Sequence, residues 1–217
     1  MRPIQKTLQV ASADPNGVAT AQTPVDGVDL TIDGVYASGG VATPTFPAQI
    51  TLTSGDDLSS VTFTVIGTDS TGAVISEDIT GPNNDTVTTT QTFATVTAVE
   101  VDTASTFTTE EVEVGAADVG IGATGWWPLD IYVPNQVTTI SCNILNAGSC
   151  TYTVQYTNED PFDTSITQLA VSHPVATLVG ATTDQTGFTT TLMRAVRINV
   201  ASGSGELRVT VVQQSTQ

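Results

Sequence analysis

The sequence predicts an all-β protein: two antiparallel β-sandwich or jelly-roll-like domains behind an extended N-terminal arm. Three observations carry this expectation. Apolar and polar side chains alternate along "SSVTFTVIGTD" (residues 59–69) and again along "GSCTYTVQYTNED" (residues 148–160), which is the two-residue period of a half-buried strand. Thr and Val dominate the segments between turn residues, and branched Cβ atoms suit a pleated surface. No apolar run keeps helical spacing for more than a turn or two, so short strands joined by turns are the expected building unit.

Residues 1–24 read as the arm. "KTLQV" supplies at most an edge strand, and "ASADPNGVATAQTP" is rich in turn residues and poor in large apolar ones. Such a segment either packs along its own domain or waits for another surface to order it.

The first domain is expected over residues 25–116. "VDLTID" runs into Gly34, and "PAQITLTS" stops at the turn "GDD". In "VTFTVIG", Val61, Phe63 and Val65 share one face, with Thr62 and Thr64 on the other. After the turn "TDSTG" comes "AVISEDI", and "TGPNND" punctuates before "TVTTT", "FATVTAVEV" and "EEVEVG". The Gly- and Ala-rich stretch "GAADVGIGATG" marks the seam to a second domain over residues 117–217.

That domain opens on Trp126 and Trp127 and continues through "VTTISCNI" and "CTYTVQYT". Adjacent strand residues face opposite sides, so one indole is expected in the core and the other toward solvent or a neighbour. "VSHPVATLVGATTDQTGFTTT" reads as a long loop with at most one short strand. "MRAVRINVASGSGELRVTVVQQ" reads as a closing hairpin turning at "GSG". Residues 50–69 and 138–160 follow a loosely similar course, which raises internal duplication as an alternative to shared β composition.

Charge narrows the function classes. The chain has 22 acidic and 5 basic residues, a net charge of −17, and no Lys or Arg between Thr7 and Met193. Arg2, Lys6, Arg194, Arg197 and Arg208 are the cations. A basic groove for nucleic acid and binding to anionic lipid are both disfavoured; a basic partner, divalent cations or plain solubility are compatible. With 39% apolar residues and a mean hydropathy of +0.11, the chain is expected to fold. No signal-peptide stretch and no run of roughly 20 apolar residues is present, so cytosolic synthesis is expected.

Residues that usually do chemistry are sparse, and no catalytic, cofactor-binding or metal-ligating residue is assigned. His173 stands in "VSHPV" with no nucleophile elbow or zinc helix, and is expected to be a structural or exposed loop histidine. Asp56 and Asp57 lie in a turn, and Glu77 and Asp78 should point to opposite faces. Glu111 and Glu113 share a face with Glu110 beside them, where calcium ligation competes with simple solvation; no EF-hand spacing occurs. Gly115, Gly120, Gly122 and Gly125 are followed by no Lys and no helix, which excludes a phosphate loop. Cys142 and Cys150 lack metal-site spacing and are expected as free, partly buried thiols, although a hairpin at "NILNAGS" would bring them within disulfide reach.

Residues 50–101, "ITLTSGDDLSSVTFTVIGTDSTGAVISEDITGPNNDTVTTTQTFATVTAVEV", resemble a β module of bacteriophage virion structural proteins, and residues 193–214 are similar to a final hairpin in that family. The resemblance implies a multicopy, nonenzymatic component: a capsid decoration (cement) or minor head protein, or alternatively a neck or tail part. A carbohydrate-binding or adhesin-like module is the rival. It also implies Gly67 and Gly81 at turns, Phe93 inside and Arg197 on the terminal hairpin. The expected partners are other virion proteins, such as the major capsid or portal and neck proteins, together with further copies of the chain. Neither nucleic acid nor membrane is expected to bind, and no cofactor is expected. The interface candidates are Arg2, Lys6, Trp126, Trp127 and Arg197.

Overall fold

The computed structural model describes residues 3–102, 109–132 and 136–215, which hold three β-sheets and no α-helix. A single 3-10 turn covers Ala176–Leu178. The chain divides into two units, and one is inserted in the other: Met1–Ala11 and Gly120–Gln217 form the terminal unit, and Ser12–Val119 the inserted unit.

This arrangement differs from an arm over 1–24 followed by domains at 25–116 and 117–217. Strand β1 (Ile4–Ala11) pairs with the last strand of the chain, and β2 (Asp14–Gln22) joins the inserted unit. Both halves of the expected arm are therefore sheet strands. The reason is that Val10, Val18 and Ala19 are each fully buried, which anchors both strands.

The inserted unit continues with β3 (Ala37–Ser38), β4 (Val41–Ala42), β5 (Ile50–Thr53), β6 (Thr62–Thr68), β7 (Val74–Thr80), β8 (Thr86–Thr88), β9 (Thr95–Asp102) and β10 (Val112–Ala116). One sheet runs β2-β10-β5-β8 and the other β3-β4-β9-β6-β7. Val18, Ile50, Leu52, Val112 and Val114 from the first sheet share a core with Phe63, Val65, Val96 and Val99 from the second. The alternation in "VTFTVIG" is thus a core face, with Val61, Phe63 and Val65 all at 0% exposure. Phe93 is also buried.

Gly67 lies within β6, not at a turn. A Cβ there would collide with the Thr95 carbonyl oxygen, and the β6–β9 register shifts between Ile66 and Gly67. Glycine is needed at this bulge because another backbone comes too close for a side chain. Gly81 follows β7, where a Cβ would meet the Leu58 carbonyl oxygen and the Phe63 ring.

The terminal unit adds β11 (Gly122–Ala123), β12 (Trp127–Pro128), β13 (Gln136–Thr157), β14 (Val171–Ser172), β15 (Gln185–Thr189) and β16 (Ala195–Ser215). Strands β13 and β16 are the two long ones and pair antiparallel from Gln136↔Ser215 to Thr157↔Ala195. β1 and β15 flank the half near residues 138–142 and 204–211; β11, β12 and β14 flank the other half. Ile140, Cys142, Leu207, Val209 and Val211 from one half share a core with Cys150, Tyr152, Val154, Val196 and Ile198 from the other.

"NILNAGS" and "GSG" are therefore not hairpin turns. The register passes from Leu145↔Glu206 to Ser149↔Ser204, so β13 carries two extra residues while both strands continue. Asn146 and Ala147 take positive φ, 58° and 52°, to accommodate them. A second shift between Thr151 and Tyr152 leaves one extra residue in β16, which explains why its buried positions are even at 196, 198 and 200 but odd at 207, 209 and 211. The strands cross closely at glycine: a Cβ on Gly148 would meet the Ser204 carbonyl oxygen and, at 2.9 Å, the Gly205 Cα.

The suggested duplication does not extend to topology. Strands β5 and β6 belong to different sheets, whereas the matching residues 138–157 lie in one strand. The stretch 171–191, expected as a loop with at most one strand, holds β14, β15 and the 3-10 turn.

Candidate interaction site

On β12, Trp127 pairs with Val196, a buried residue, and packs its indole against the terminal unit's core. Trp126 precedes the strand and is half-buried, as Trp127 is. Arg197, the neighbour of Val196, lies over the Trp126 ring at 4.4 Å from the centroid. Its Nε donates to Oε1 of Gln155 at 2.8 Å, and Gln155 is its cross-strand partner on β13. Two of the sequence candidates thus meet, forming an outward row of indole, guanidinium and amide.

Lys6 is placed differently. It stands opposite Val209 on β1, so it shares a face with Ile4, Leu8 and Val10, all of which pack on the core. Lys6 itself is exposed. A charge on the core-side face of an edge strand discourages another strand from pairing there. Arg2 lies outside the described residues.

A second feature of the terminal unit involves none of the interface candidates read from the sequence. Asp160 pairs with Arg194 at 3.3 Å, and this pair lines a pocket of about 200 Å³ with Pro128, Leu129, Tyr132 and Phe162. Tyr132 is 88% exposed and Phe162 75%. The signal was the repeated Asp-x-aromatic spacing in "DIY" and "DPF", which marks turns in which a carboxylate accepts the backbone N–H two residues on.

His173 is buried, not exposed. Its Nδ1 accepts the Val175 N–H at 3.2 Å, and its Nε2 is buried without a partner. Burial pushes the imidazole pKa below its ordinary value. Cys142 and Cys150 are free and buried; burial pushes the Cys142 thiol up to about 12, which suppresses thiolate chemistry.

The carboxylates act as local caps. Glu77 accepts the N–H groups of Thr90 and Gln91 at 2.7 and 2.9 Å. Desolvation pushes its carboxyl pKa up, but these bonds and the Thr90 hydroxyl outweigh it and leave the value lowered. Asp78 accepts the Thr64 hydroxyl at 2.8 Å. Asp56, Glu111 and Glu113 surround a pocket of about 310 Å³. Among the described residues, no group of three or more His, Cys, Asp or Glu side chains is placed to hold a metal ion, and no helix is long and apolar enough to cross a membrane.

Charge is divided between the units as sharply as fold is. All five cations fall in the terminal unit beside six carboxylates, a net charge of −1. The inserted unit has the other sixteen carboxylates and no cation, a net charge of −16. The large exposed aromatic side chains, Tyr132, Phe162 and Phe188, are all in the terminal unit among the described residues.

The chain matches no protein-family model, and no curated protein and no solved structure matches it significantly.

Proposed function

We propose that this chain is a nonenzymatic structural protein of a bacteriophage virion, a decoration or minor head protein held by contacts of its terminal unit. The supporting observation is the division of charge: a nearly neutral unit with exposed aromatic and aliphatic side chains, against a unit of net charge −16. Interfaces favour aromatic side chains and arginine and are depleted in carboxylates at their centres. The terminal unit fits that chemistry and the inserted unit does not. The resemblance of residues 50–101 to virion modules supplies the family side of the reading.

In this proposal each unit is a β-sandwich. The two sheets of the inserted unit close over their common core. The long strands of the terminal unit bend at the glycine crossing so that their two halves face each other. Repetition of modest contacts around a symmetric particle would then give firm retention, while the acidic units favour solubility and repel one another at low salt.

Electron microscopy of intact particles tests the reading. The expected density shows many copies at symmetry-related positions, each contacting its neighbours through residues of the terminal unit. Particles that lack the chain, or contacts made only by the inserted unit, would overturn it.

A further inference from the structure

We propose that the pocket between Tyr132 and Phe162 binds a single neutral sugar ring; the inference stands independently of the virion reading. Both aromatics are exposed, and the backbone that carries each is held in place. Asp130 Oδ1 accepts the Tyr132 N–H at 3.0 Å, and Asp160 Oδ1 accepts the Phe162 N–H at 3.0 Å. Aromatic side chains on an ordered backbone offer contact area at small entropic cost, which is how rigid recognition surfaces are built.

The walls are fixed to one another as well. Leu129 N–H donates to the Arg194 carbonyl at 2.8 Å, and Arg194 N–H to the Thr157 carbonyl at 2.9 Å. Asp160 links the two kinds of surface, since one oxygen holds the Phe162 turn and the other meets Arg194 Nη2 at 3.3 Å.

These groups select a chemistry. The Arg194–Asp160 pair presents donors and acceptors side by side with no net charge. Vicinal hydroxyls, each of which donates and accepts, satisfy both members at once. A carboxylate or phosphate would meet Asp160, and a purely apolar ligand would strip water from the ion pair without replacing its hydrogen bonds. The aromatic rims ask for a ligand with an apolar face, and a sugar ring has C–H groups on its faces and hydroxyls at its edge. At about 200 Å³ the pocket is smaller than the roughly 300–1,000 Å³ of drug-sized sites, a size suited to one ring.

The test is protein-observed NMR on the full chain, titrated with the methyl glycosides of glucose, galactose, mannose and N-acetylglucosamine. At least one should shift the Tyr132, Phe162 and Arg194 signals with a millimolar dissociation constant. Tyr132→Ala and Phe162→Ala should each weaken it about 3- to 10-fold, and the double variant should abolish it. Because both side chains are exposed, these variants should keep the wild-type melting midpoint. Four results would overturn the proposal: no shift with any glycoside at tens of millimolar, shifts that survive in the double variant, tighter binding of glucuronate than of any neutral sugar, or binding of a proline-rich peptide with no response to sugars.

Discussion

The Arg197 guanidinium is held between the Trp126 ring, 4.4 Å from its centroid, and the Gln155 side-chain oxygen, 2.8 Å from Nε. Of the chain's cations, Arg197 is thus bound to an aromatic face and an amide, and Arg194 to a carboxylate. A half-exposed stack of this kind contributes about 0.5–1 kcal/mol. A double-mutant cycle with Arg197→Ala and Trp126→Ala, read by urea denaturation, should return a coupling of that size. Additive single effects would show that the stack contributes nothing.

The glycine crossing makes a sharper prediction. Gly148→Ala forces a Cβ against the Ser204 and Gly205 backbone, which has no flexible end to yield. The expected cost is about 1–3 kcal/mol in the terminal unit's unfolding transition. Gly55→Ala, which meets nothing within 4 Å, should stay within about 0.5 kcal/mol of wild type.

His173 predicts a pH dependence. Its folded pKa lies below the ordinary 6.5, so the unfolded chain binds the proton more readily. The contribution is fully present above pH 6.5 and is lost as pH falls from there toward the folded value. His173 is the chain's one histidine. Carboxylates such as Asp69, held low by the Thr71 hydroxyl and backbone N–H groups, titrate further down. The melting midpoint should drop between pH 7.5 and 5.5, and His173→Asn should flatten that drop. An unchanged slope in the variant would show that the imidazole is not the cause.

Lys6 interrupts the apolar row Ile4, Leu8 and Val10 on the core-side face of the edge strand β1. Lys6→Val should therefore raise self-association, read as larger species in sedimentation velocity at equal protein concentration. Identical profiles for variant and wild type would remove the gatekeeping role.

The net charge of −17 predicts that salt promotes association of the wild-type chain, because screening relieves repulsion between inserted units. Light scattering should rise between low and moderate ionic strength. A flat response would show that charge does not limit assembly.

Much of the inserted unit was legible in its residues. Val61, Phe63 and Val65 announced a buried face because side chains two apart along a strand point the same way. The terminal unit was harder to read, because glycine pairs signal hairpins and bulges alike. "GSG" reads as a reversal, yet Gly203 and Gly205 sit where two continuing strands press together. The Asp-x-aromatic spacing marks the Tyr132 and Phe162 turns but not the pocket they line: the two aromatics are thirty residues apart, and nothing local says that Arg194 will join them.

Alternation, turn chemistry and the placement of charged residues depend on neighbours in the chain, and so the residues alone reveal that this protein is built of strands, is strongly acidic and carries none of the usual catalytic motifs. Pairing depends on which distant strand wins an edge. That β1 joins β16, that residues 12–119 are an insertion, and that Arg197 reaches Trp126 follow from the folded chain and not from any local pattern. Backbone hydrogen bonds are the same for every residue type, so the choice among sheet partners falls to the packing of side chains far apart in sequence.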